Sequence, residues 1–250
     1  MTVEEYFDDL AAFYDAYYGH EGVEGDLEFY RDLASEAEGP VLEVGCGTGR
    51  IYLELLAAGV DADAFDVSSG MLEVLRERAD ERGLEATVWD ADVREFEADR
   101  EYDLVIVPFR TFLHLLEVDD QLSALEGIYD ALAPGGRLAL NTFVPSHEVI
   151  CDHYGEVEER TLEVDGAEYV HRTVTELDDE VGQVARIRSE VCEADGSRVF
   201  ESETPITLLS RREFELLFRL SPFSEWSVYG DFAYGPLESA DEEMVWIAKR

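Results

Sequence analysis

One short segment constrains the fold of this chain more than any other. The strand-like run Val41–Val44 leads directly into the loop Gly45-Cys-Gly-Thr-Gly49, and apolar residues at helical spacing follow it. Glycine permits a sharp turn and lets a ligand approach the backbone without a Cβ in the way. The start of the following helix offers free N–H groups to an anionic ligand. The segment therefore predicts a strand–loop–helix unit that binds a ligand.

The same alternation of strands and helices continues beyond this unit. Ser68 and Asp119 are predicted to cap two of the helices, and the Pro134-Gly-Gly136 turn ends the second of them. Strands that alternate with helices imply crossovers and a parallel sheet covered on both faces. We therefore predict a doubly wound α/β domain, closed by strands near Trp226–Tyr229 and Met244–Ala248. The predicted strands that follow Val41–Val44 are Asp61–Asp66, Thr87–Asp90, Asp103–Val107 and Arg137–Phe143.

Residues 151–209 have a different pattern. Alternating runs are separated by Asp165-Gly166, Asp178–Gly182 and Asp195-Gly196, and aspartate–glycine steps are typical of hairpins. We predict an inserted antiparallel meander over the carboxyl ends of the parallel strands, which either covers the substrate or mediates dimerisation. Its exposed edges would allow two copies to pair as a homodimer. The predicted strands are Leu162–Val164, Tyr169–Leu177, Val184–Val191 and Val199–Leu208.

The charge balance excludes one class of partner. The chain has 59 acidic and 19 basic residues, a net charge of −40, and Lys249 is its only lysine. A nucleic-acid binder needs a cationic face, and the sequence has no cationic cluster. Such an acidic surface favours a halophilic protein that works in molar salt, and an acidic interaction module is the alternative. With no long apolar run, no basic leader and three widely spaced cysteines, we expect a cytoplasmic protein without a membrane partner or a metal site.

The glycine loop and the segments after it resemble the class I S-adenosylmethionine-dependent methyltransferases. The resemblance covers residues 40–143 and includes Asp66, Asp92 and the Leu-Ala-Pro-Gly-Gly turn in the family's order. It implies a seven-stranded sheet with S-adenosylmethionine as cofactor, and a cofactor domain formed by residues 36–150 and 210–250. It places Asp66 on the ribose hydroxyls, Asp92 on the adenine amino group, and Glu43 below the methionine end of the cofactor. The implied cofactor-binding residues in this region are Glu43, Gly45, Cys46, Gly47, Gly49, Asp66, Val67, Met71, Asp92, Val93 and Pro108.

The N-terminal segment resembles the lid of small-molecule N-methyltransferases, among them glycine/sarcosine and amino-sugar enzymes. Apolar residues spaced three and four apart predict an amphipathic helix over residues 6–18. The resemblance implies a helical lid in residues 1–35 in which Tyr14 and Tyr18 contact the cofactor. Packing of both tyrosines in a core is the alternative.

The candidate catalytic residues follow the fourth predicted strand. The run Val107-Pro-Phe-Arg-Thr-Phe-Leu-His114 is apolar apart from a few polar side chains, and open α/β sheets bind substrates at this end of a strand. Arg110 and His114 are spaced to share a helical face toward the pocket. The arginine would hold a carboxylate or phosphate, and the neutral histidine would accept a proton from the nucleophile. Internal pairing of both side chains is the alternative.

These observations predict an enzyme that transfers a methyl group to a nitrogen or oxygen of a small-molecule acceptor by in-line displacement. Two alternatives are a regulatory protein that binds S-adenosylmethionine without catalysis and an NAD-dependent oxidoreductase. Dinucleotide binding is disfavoured because Arg50 stands where that motif needs its third glycine.

Overall fold

The main body of the protein is a seven-stranded sheet with helices on both faces. The structure is a computed structural model that describes Glu4, Phe7, residues 22–164 and residues 166–250. The strand order is β10-β11-β5-β4-β1-β2-β3. Strands β1 to β5 are parallel to one another, β11 is antiparallel to β5, and β10 is antiparallel to β11. This confirms the predicted doubly wound fold. The strands are β1 Val41–Val44, β2 Ala62–Asp66, β3 Thr87–Asp90, β4 Tyr102–Val107, β5 Leu132–Phe143, β10 Glu225–Tyr229 and β11 Glu243–Lys249.

The helices pack as two layers, each around its own apolar core. One core contains side chains of α1, α2 and α3, and the other contains side chains of α4 and α6. Burying both faces explains why the central strands β1 and β2 are buried along their whole length. The helices of the described part of the chain are α1 Asp26–Ser35, α2 Tyr52–Ala57, α3 Ser69–Arg82, α4 Val118–Ala131, α5 His147–Asp152 and α6 Arg211–Leu220, with a 3-10 turn at Thr111–His114.

Local capping explains where several helices begin. The Ser68 hydroxyl accepts a hydrogen bond from the Met71 N–H at 3.1 Å, so its prediction as the cap of α3 is confirmed. Ser210 and Glu213 form a reciprocal capping box at the start of α6. Asp119 was the wrong residue for the next cap, because α4 begins at Val118 with Glu117 before it.

The N-terminal region contributes one helix to the main sheet. Helix α1 was not predicted from the sequence, and it buries Phe29, Tyr30 and Leu33 in one of the two cores of the sheet. Residues 26–35 therefore pack against the main sheet. Of the predicted helix over residues 6–18 the structure describes only Phe7, so Tyr14 and Tyr18 lie outside the described residues.

A second, four-stranded antiparallel sheet connects α5 to α6 and has the order β6-β7-β8-β9. Its outer face carries arginine–carboxylate pairs such as Arg172 with Glu159 and Arg186 with Asp178. Its other face contributes Thr204 and Ile206 to a cavity shared with the glycine loop, so the sheet lies at the carboxyl ends of β1 and β4, as predicted. The strands are β6 Val157–Val164, β7 Ala167–Asp179, β8 Val184–Glu193 and β9 Arg198–Thr207. Within the described ranges, no helix combines the length and apolar character needed to cross a bilayer.

Candidate active site

A cavity of about 840 Å³ lies where the two sheets meet. Its floor comes from the ends of β1, β2 and β4, and one wall comes from β7, β8 and β9. This is the edge at which open parallel sheets bind ligands. The space is large enough for a cofactor and a small second ligand, since ligand pockets commonly measure about 300–1,000 Å³.

The three glycines of the loop after β1 have different tasks. Gly45, Gly47 and Gly49 all adopt positive φ, at 68°, 54° and 88°. A side chain at Gly45 would clash with Thr111, and one at Gly49 would clash with Leu53 and Leu75. A Cβ at Gly47 would meet no atom within 4 Å. Two glycines therefore allow close packing, and Gly47 leaves space on the cavity side.

Asp66 ends β2 and holds the glycine loop in place. Its carboxylate accepts hydrogen bonds from the Gly47 N–H at 2.8 Å and from the Ser68 N–H at 2.9 Å. Burial raises the pKa of Asp66, and the backbone N–H groups oppose that shift. The carboxylate lines the cavity beside the loop that it orders.

Asp92 follows β3 and is paired with Arg94, a residue that was not among the predicted site residues. The Arg94 guanidinium donates to both Asp92 carboxylate oxygens, with its closest contact at 2.5 Å, and also contacts Asp120 at 3.2 Å. This pairing holds the pKa of Asp92 below its ordinary value. Both Asp92 and Arg94 line the cavity, so Arg94 orients the carboxylate that the resemblance assigns to adenine.

Glu43 is a buried carboxyl group in β1, directly below the glycine loop. Its Oε2 atom has no hydrogen-bond partner among the described residues. Burial raises the pKa of Glu43 to about 8, although the nearby Arg50 charge opposes the shift. A buried oxygen without a donor is costly, so this atom suits a ligand that brings its own N–H group.

Arg50 joins the glycine loop to α1 and was not among the predicted site residues. Its guanidinium makes two hydrogen bonds to the buried Asp26 carboxylate, at 2.9 and 2.5 Å, and lies 5.3 Å from the centre of the Phe109 ring. The sequence signal that could have identified Arg50 as a site residue is its position directly after Gly49, the last glycine of the motif. The partner Asp26 lies 24 residues earlier, outside the motif.

The spacing of Arg110 and His114 predicted a shared helical face, and this prediction is wrong. Arg110 adopts a left-handed conformation, with φ of 68°, just before the 3-10 turn Thr111–His114. Its guanidinium pairs with Glu243 on β11 and lies 5.3 Å from the centre of the Phe143 ring. Arg110 still lines the cavity, but its charge is already matched by a carboxylate of the protein.

His114 presents a neutral imidazole to the same cavity. Burial lowers the pKa of His114 to about 4, and a hydrogen bond to the Pro205 backbone opposes that shift. Proline has no N–H, so the imidazole donates to the Pro205 carbonyl. The Nδ1 atom has no partner in the described part of the chain, which assigns the donated proton to Nε2 and leaves an acceptor lone pair on Nδ1.

Comparison with known proteins identifies the family. Residues 41–136 match a family described as a methyltransferase domain. The cypemycin N-terminal methyltransferase of a Streptomyces species is 27% identical over 210 residues, 84% of this chain and 82% of that protein. The matched segment is a methyltransferase domain, which confirms the resemblance to the class I S-adenosylmethionine-dependent methyltransferases. S-Adenosylmethionine is accordingly the cofactor of this methyltransferase.

Two further comparisons describe the extent of the similarity. The glycine/sarcosine N-methyltransferase of Halorhodospira halochloris is 32% identical over 132 residues, 52% of this methyltransferase and 48% of that protein. The chain thus spans about half the length of that relative. The structure of the CcbJ methyltransferase from Streptomyces caelestis superposes with a TM-score of 0.81 at 22% identity and covers 97% of this chain and 96% of its own. It shares the fold of this methyltransferase.

Most residues assigned to the cofactor by resemblance line the cavity of this methyltransferase. Gly49 is the exception, because it packs on Leu53 and Leu75 and does not line the cavity. Tyr14 and Tyr18 belong to the residues that are not described. Among the described residues, no group of three or more His, Cys, Asp or Glu side chains is arranged to hold a metal ion. The lining residues are Glu43, Gly45, Cys46, Gly47, Asp66, Val67, Met71, Asp92, Val93 and Pro108.

Proposed function

We propose that this methyltransferase acts on a nitrogen or oxygen atom of a small-molecule acceptor by in-line displacement. One observation carries the proposal: a single cavity joins the glycine loop and Asp66 to His114 and the inner wall of the second sheet. The residues fit the cofactor, since Gly47 leaves open space and Glu43 keeps an unmatched buried oxygen. A cofactor and an acceptor held in one enclosed space would react as neighbours, which lowers the entropic part of the barrier.

The chemistry needs little from the protein beyond position and one proton acceptor. When bound, the cofactor would supply an activated methyl group on its sulfonium for the lone pair of the acceptor. Asp66 and the glycine loop hold one end of this arrangement. Nδ1 of His114 accepts the proton that the nucleophile loses, and its low pKa keeps it unprotonated at neutral pH. We assign no proton transfer to Arg110, which is paired with Glu243.

Nitrogen is the acceptor atom that the cavity favours. Several acidic residues outside the cofactor motifs line the cavity, and the Arg110 charge there is already paired. This surface attracts a cationic amine, which must lose a proton before its lone pair can attack, and repels a carboxylate or phosphate. The Thr204 hydroxyl is buried in the same wall without a hydrogen-bond partner in the described residues, so it suits a polar group of the acceptor. The name of the glycine/sarcosine N-methyltransferase agrees with nitrogen, whereas other relatives are named as O- and C-methyltransferases. These acidic residues include Glu117, Glu156 and Glu158.

Two parts of the chain are proposed to shape the acceptor site. The second sheet covers the acceptor, since Thr173, Ile187 and Thr204 line the cavity. The N-terminal segment acts as a lid, supported by Phe7, whose ring lies edge-on 5.2 Å from the His114 ring. Ile187→Ala should raise the KM of the acceptor and leave the affinity for S-adenosylhomocysteine unchanged. A shift from dimer to monomer in that variant, with an unchanged KM, would instead assign the sheet to dimerisation.

A matched acceptor panel tests the proposal. The purified protein is incubated in high salt with S-adenosylmethionine and with amines, alcohols and carboxylic acids built on the same carbon skeletons, and formation of S-adenosylhomocysteine is measured. Turnover with amines and little with acids is the expected result. Binding of S-adenosylmethionine without turnover on any panel member would favour the regulatory alternative. Calorimetric binding of NAD alone would favour the oxidoreductase.

A further inference from the structure

The turn after β4 has an unusual backbone. Phe109 and Arg110 are consecutive residues with positive φ, at 53° and 68°, and neither is glycine. Side chains other than glycine rarely occupy this region, and such residues persist only where their surroundings fix them. Both residues line the cavity, and the turn that contains them begins at Pro108 and ends beside Gly45 at Thr111.

Asn141 on β5 fixes this turn through its side chain. Its carbonyl oxygen accepts hydrogen bonds from the Phe109 N–H at 2.9 Å and from the Tyr30 hydroxyl at 2.8 Å. Its amide nitrogen donates to Oε2 of Glu243 at 3.0 Å. Because a backbone N–H can only donate and a carboxylate accepts, these partners determine which way the amide points.

The contacts close into a ring that we call the turn clamp. It runs from Phe109 to Asn141, from Asn141 to Glu243, and from Glu243 back to Arg110, whose guanidinium pairs with the other Glu243 oxygen. Asn141 is fully buried, so water cannot replace a lost member of the ring. The ring joins β5 and β11 to the turn, and Tyr30 adds α1.

We propose that Asn141 is a positioning residue that fixes the wall between the two halves of the active site. The clamped turn carries Phe109, which contacts Arg50 behind the glycine loop, and it leads into the 3-10 turn that presents His114. The clamp therefore sets the distance between the cofactor loop and the proton acceptor. This inference rests on the proposed function, because it assigns the wall to the alignment of acceptor and methyl group.

A charge-exchange pair of substitutions tests the ring. Asn141→Asp leaves an acceptor for the Phe109 N–H but sets a carboxylate oxygen against Glu243. Glu243→Gln keeps an acceptor for Arg110 but sets an amide donor against the Asn141 amide. In the double variant N141D/E243Q, the new Gln donates to the new Asp, so every hydrogen bond of the ring returns with the net charge unchanged. Thr142→Val is the matched control, since Thr142 is equally buried on the same strand and outside the cavity.

Three measurements are made on each variant: hydrogen exchange of the peptide over residues 105–113, affinity for S-adenosylhomocysteine, and methyl transfer to the best acceptor. In each single variant the amide hydrogens of that peptide should exchange about tenfold faster, and kcat should fall by about tenfold or more. KM and the affinity for S-adenosylhomocysteine should change by less than about threefold. The double variant and the control should lie within about threefold of wild type.

The inference would be overturned if hydrogen exchange of residues 105–113 were unchanged in both single variants. It would also be overturned if exchange and kcat of the double variant were no closer to wild type than those of either single variant. If a single variant does not fold, Tyr30→Phe provides a milder change, because it removes only one of the two hydrogen bonds to the Asn141 carbonyl. It should speed exchange of the turn by a smaller factor, and an unchanged rate would count against the clamp. Wild-type protein that fails to bind S-adenosylhomocysteine would contradict the proposed function, whereas the exchange data would still judge the clamp.

Discussion

The Gly47 N–H donates a hydrogen bond of 2.8 Å to Oδ2 of Asp66, and this contact ties the glycine loop after β1 to the end of β2. The other oxygen of the same carboxylate accepts from the Ser68 N–H at the start of α3. One side chain thus fixes both the glycine loop and the start of α3 at the cofactor end of the cavity. Asp66 therefore shapes this end of the cavity.

Asp66→Asn should weaken binding of S-adenosylhomocysteine by more than about tenfold. An amide has one acceptor oxygen, so its NH2 group would face one of the two N–H donors and leave it unsatisfied, and a hydrogen bond to a charged group is worth about 1.5–3 kcal/mol. Calorimetry measures the affinity. Asp90→Asn, at the exposed end of β3, is the control. Equal affinity in the two folded variants would contradict the role of Asp66.

Gly47→Val should abolish cofactor binding while the protein remains folded. The new side chain would project into the open space beside the loop, where a Cβ now meets no neighbour within 4 Å. Gly83→Val is the matched control, because Gly83 also has a positive φ, of 65°, and an open surrounding. Left-handed strain costs each variant about 1–2 kcal/mol, so a comparison of their binding isolates the cavity effect. Tight binding by the Gly47 variant would refute the assignment.

Glu43 should make the ligand-free protein less stable as the pH rises from about 4.5 to about 8. Its folded-state pKa, about 8, lies above the ordinary value of 4.5. The folded state therefore retains a proton that the unfolded state releases, and stability is lost through this window by at most about 1.4 kcal/mol per pH unit. Thermal melts of Glu43→Gln should fall less steeply over that range than melts of wild type. Glu73→Gln on the exposed side of α3 should follow the wild-type slope.

His114→Asn should lower kcat by about 10²–10⁴ without changing the affinity for S-adenosylhomocysteine, as expected for loss of a general base. Since burial lowers the pKa of His114 to about 4, the wild-type rate should not fall near pH 6.5, and the loss due to protonation of His114 should come near pH 4. His171→Asn is the control, because burial also lowers the pKa of His171 to about 4 and His171 does not line the cavity. Equal losses in the two variants would indicate a structural effect.

Thermal stability should rise strongly between about 0.1 M and 3 M KCl, because the Debye length falls from about 10 Å to less than about 3 Å over this range. Salt screens the repulsion within a net charge of −40, but it also weakens the exposed arginine–carboxylate pairs on the second sheet. Exposed pairs contribute only about 0–1 kcal/mol each, so relief of the repulsion should dominate. Melting curves across the salt range check this, and a flat profile would count against a halophilic protein of a salt-rich cytoplasm.

The strands of the main sheet could be predicted because each is a short apolar run bounded by turn residues. Val41–Val44 and Thr87–Asp90 have the predicted bounds. Helix α1 was missed although its buried residues Phe29, Tyr30 and Leu33 are spaced as on one face of a helix. The shared helical face of Arg110 and His114 was wrongly predicted because spacing alone does not reveal the positive φ of Arg110.

The cofactor side of the site was predictable because its residues lie in short motifs with fixed order. The other side depends on partners far apart in the chain. Arg110 and Glu243 are 133 residues apart, and Phe109 and Asn141 are 32 apart, so no local pattern connects them. His114 was selected correctly as a cavity residue, but its tautomer depends on the carbonyl of Pro205 in another sheet.

The turn clamp also sets an order for biosynthesis. Domains fold from the N-terminal side as synthesis proceeds at about 5–20 residues per second. The glycine loop, Asp66 and Asp92 are translated long before Glu243, which closes the ring between Asn141 and Arg110. A nascent chain therefore lacks the residue that closes the ring until long after the cofactor motifs have been synthesised. The acceptor wall can take its final form only after β11 joins the sheet.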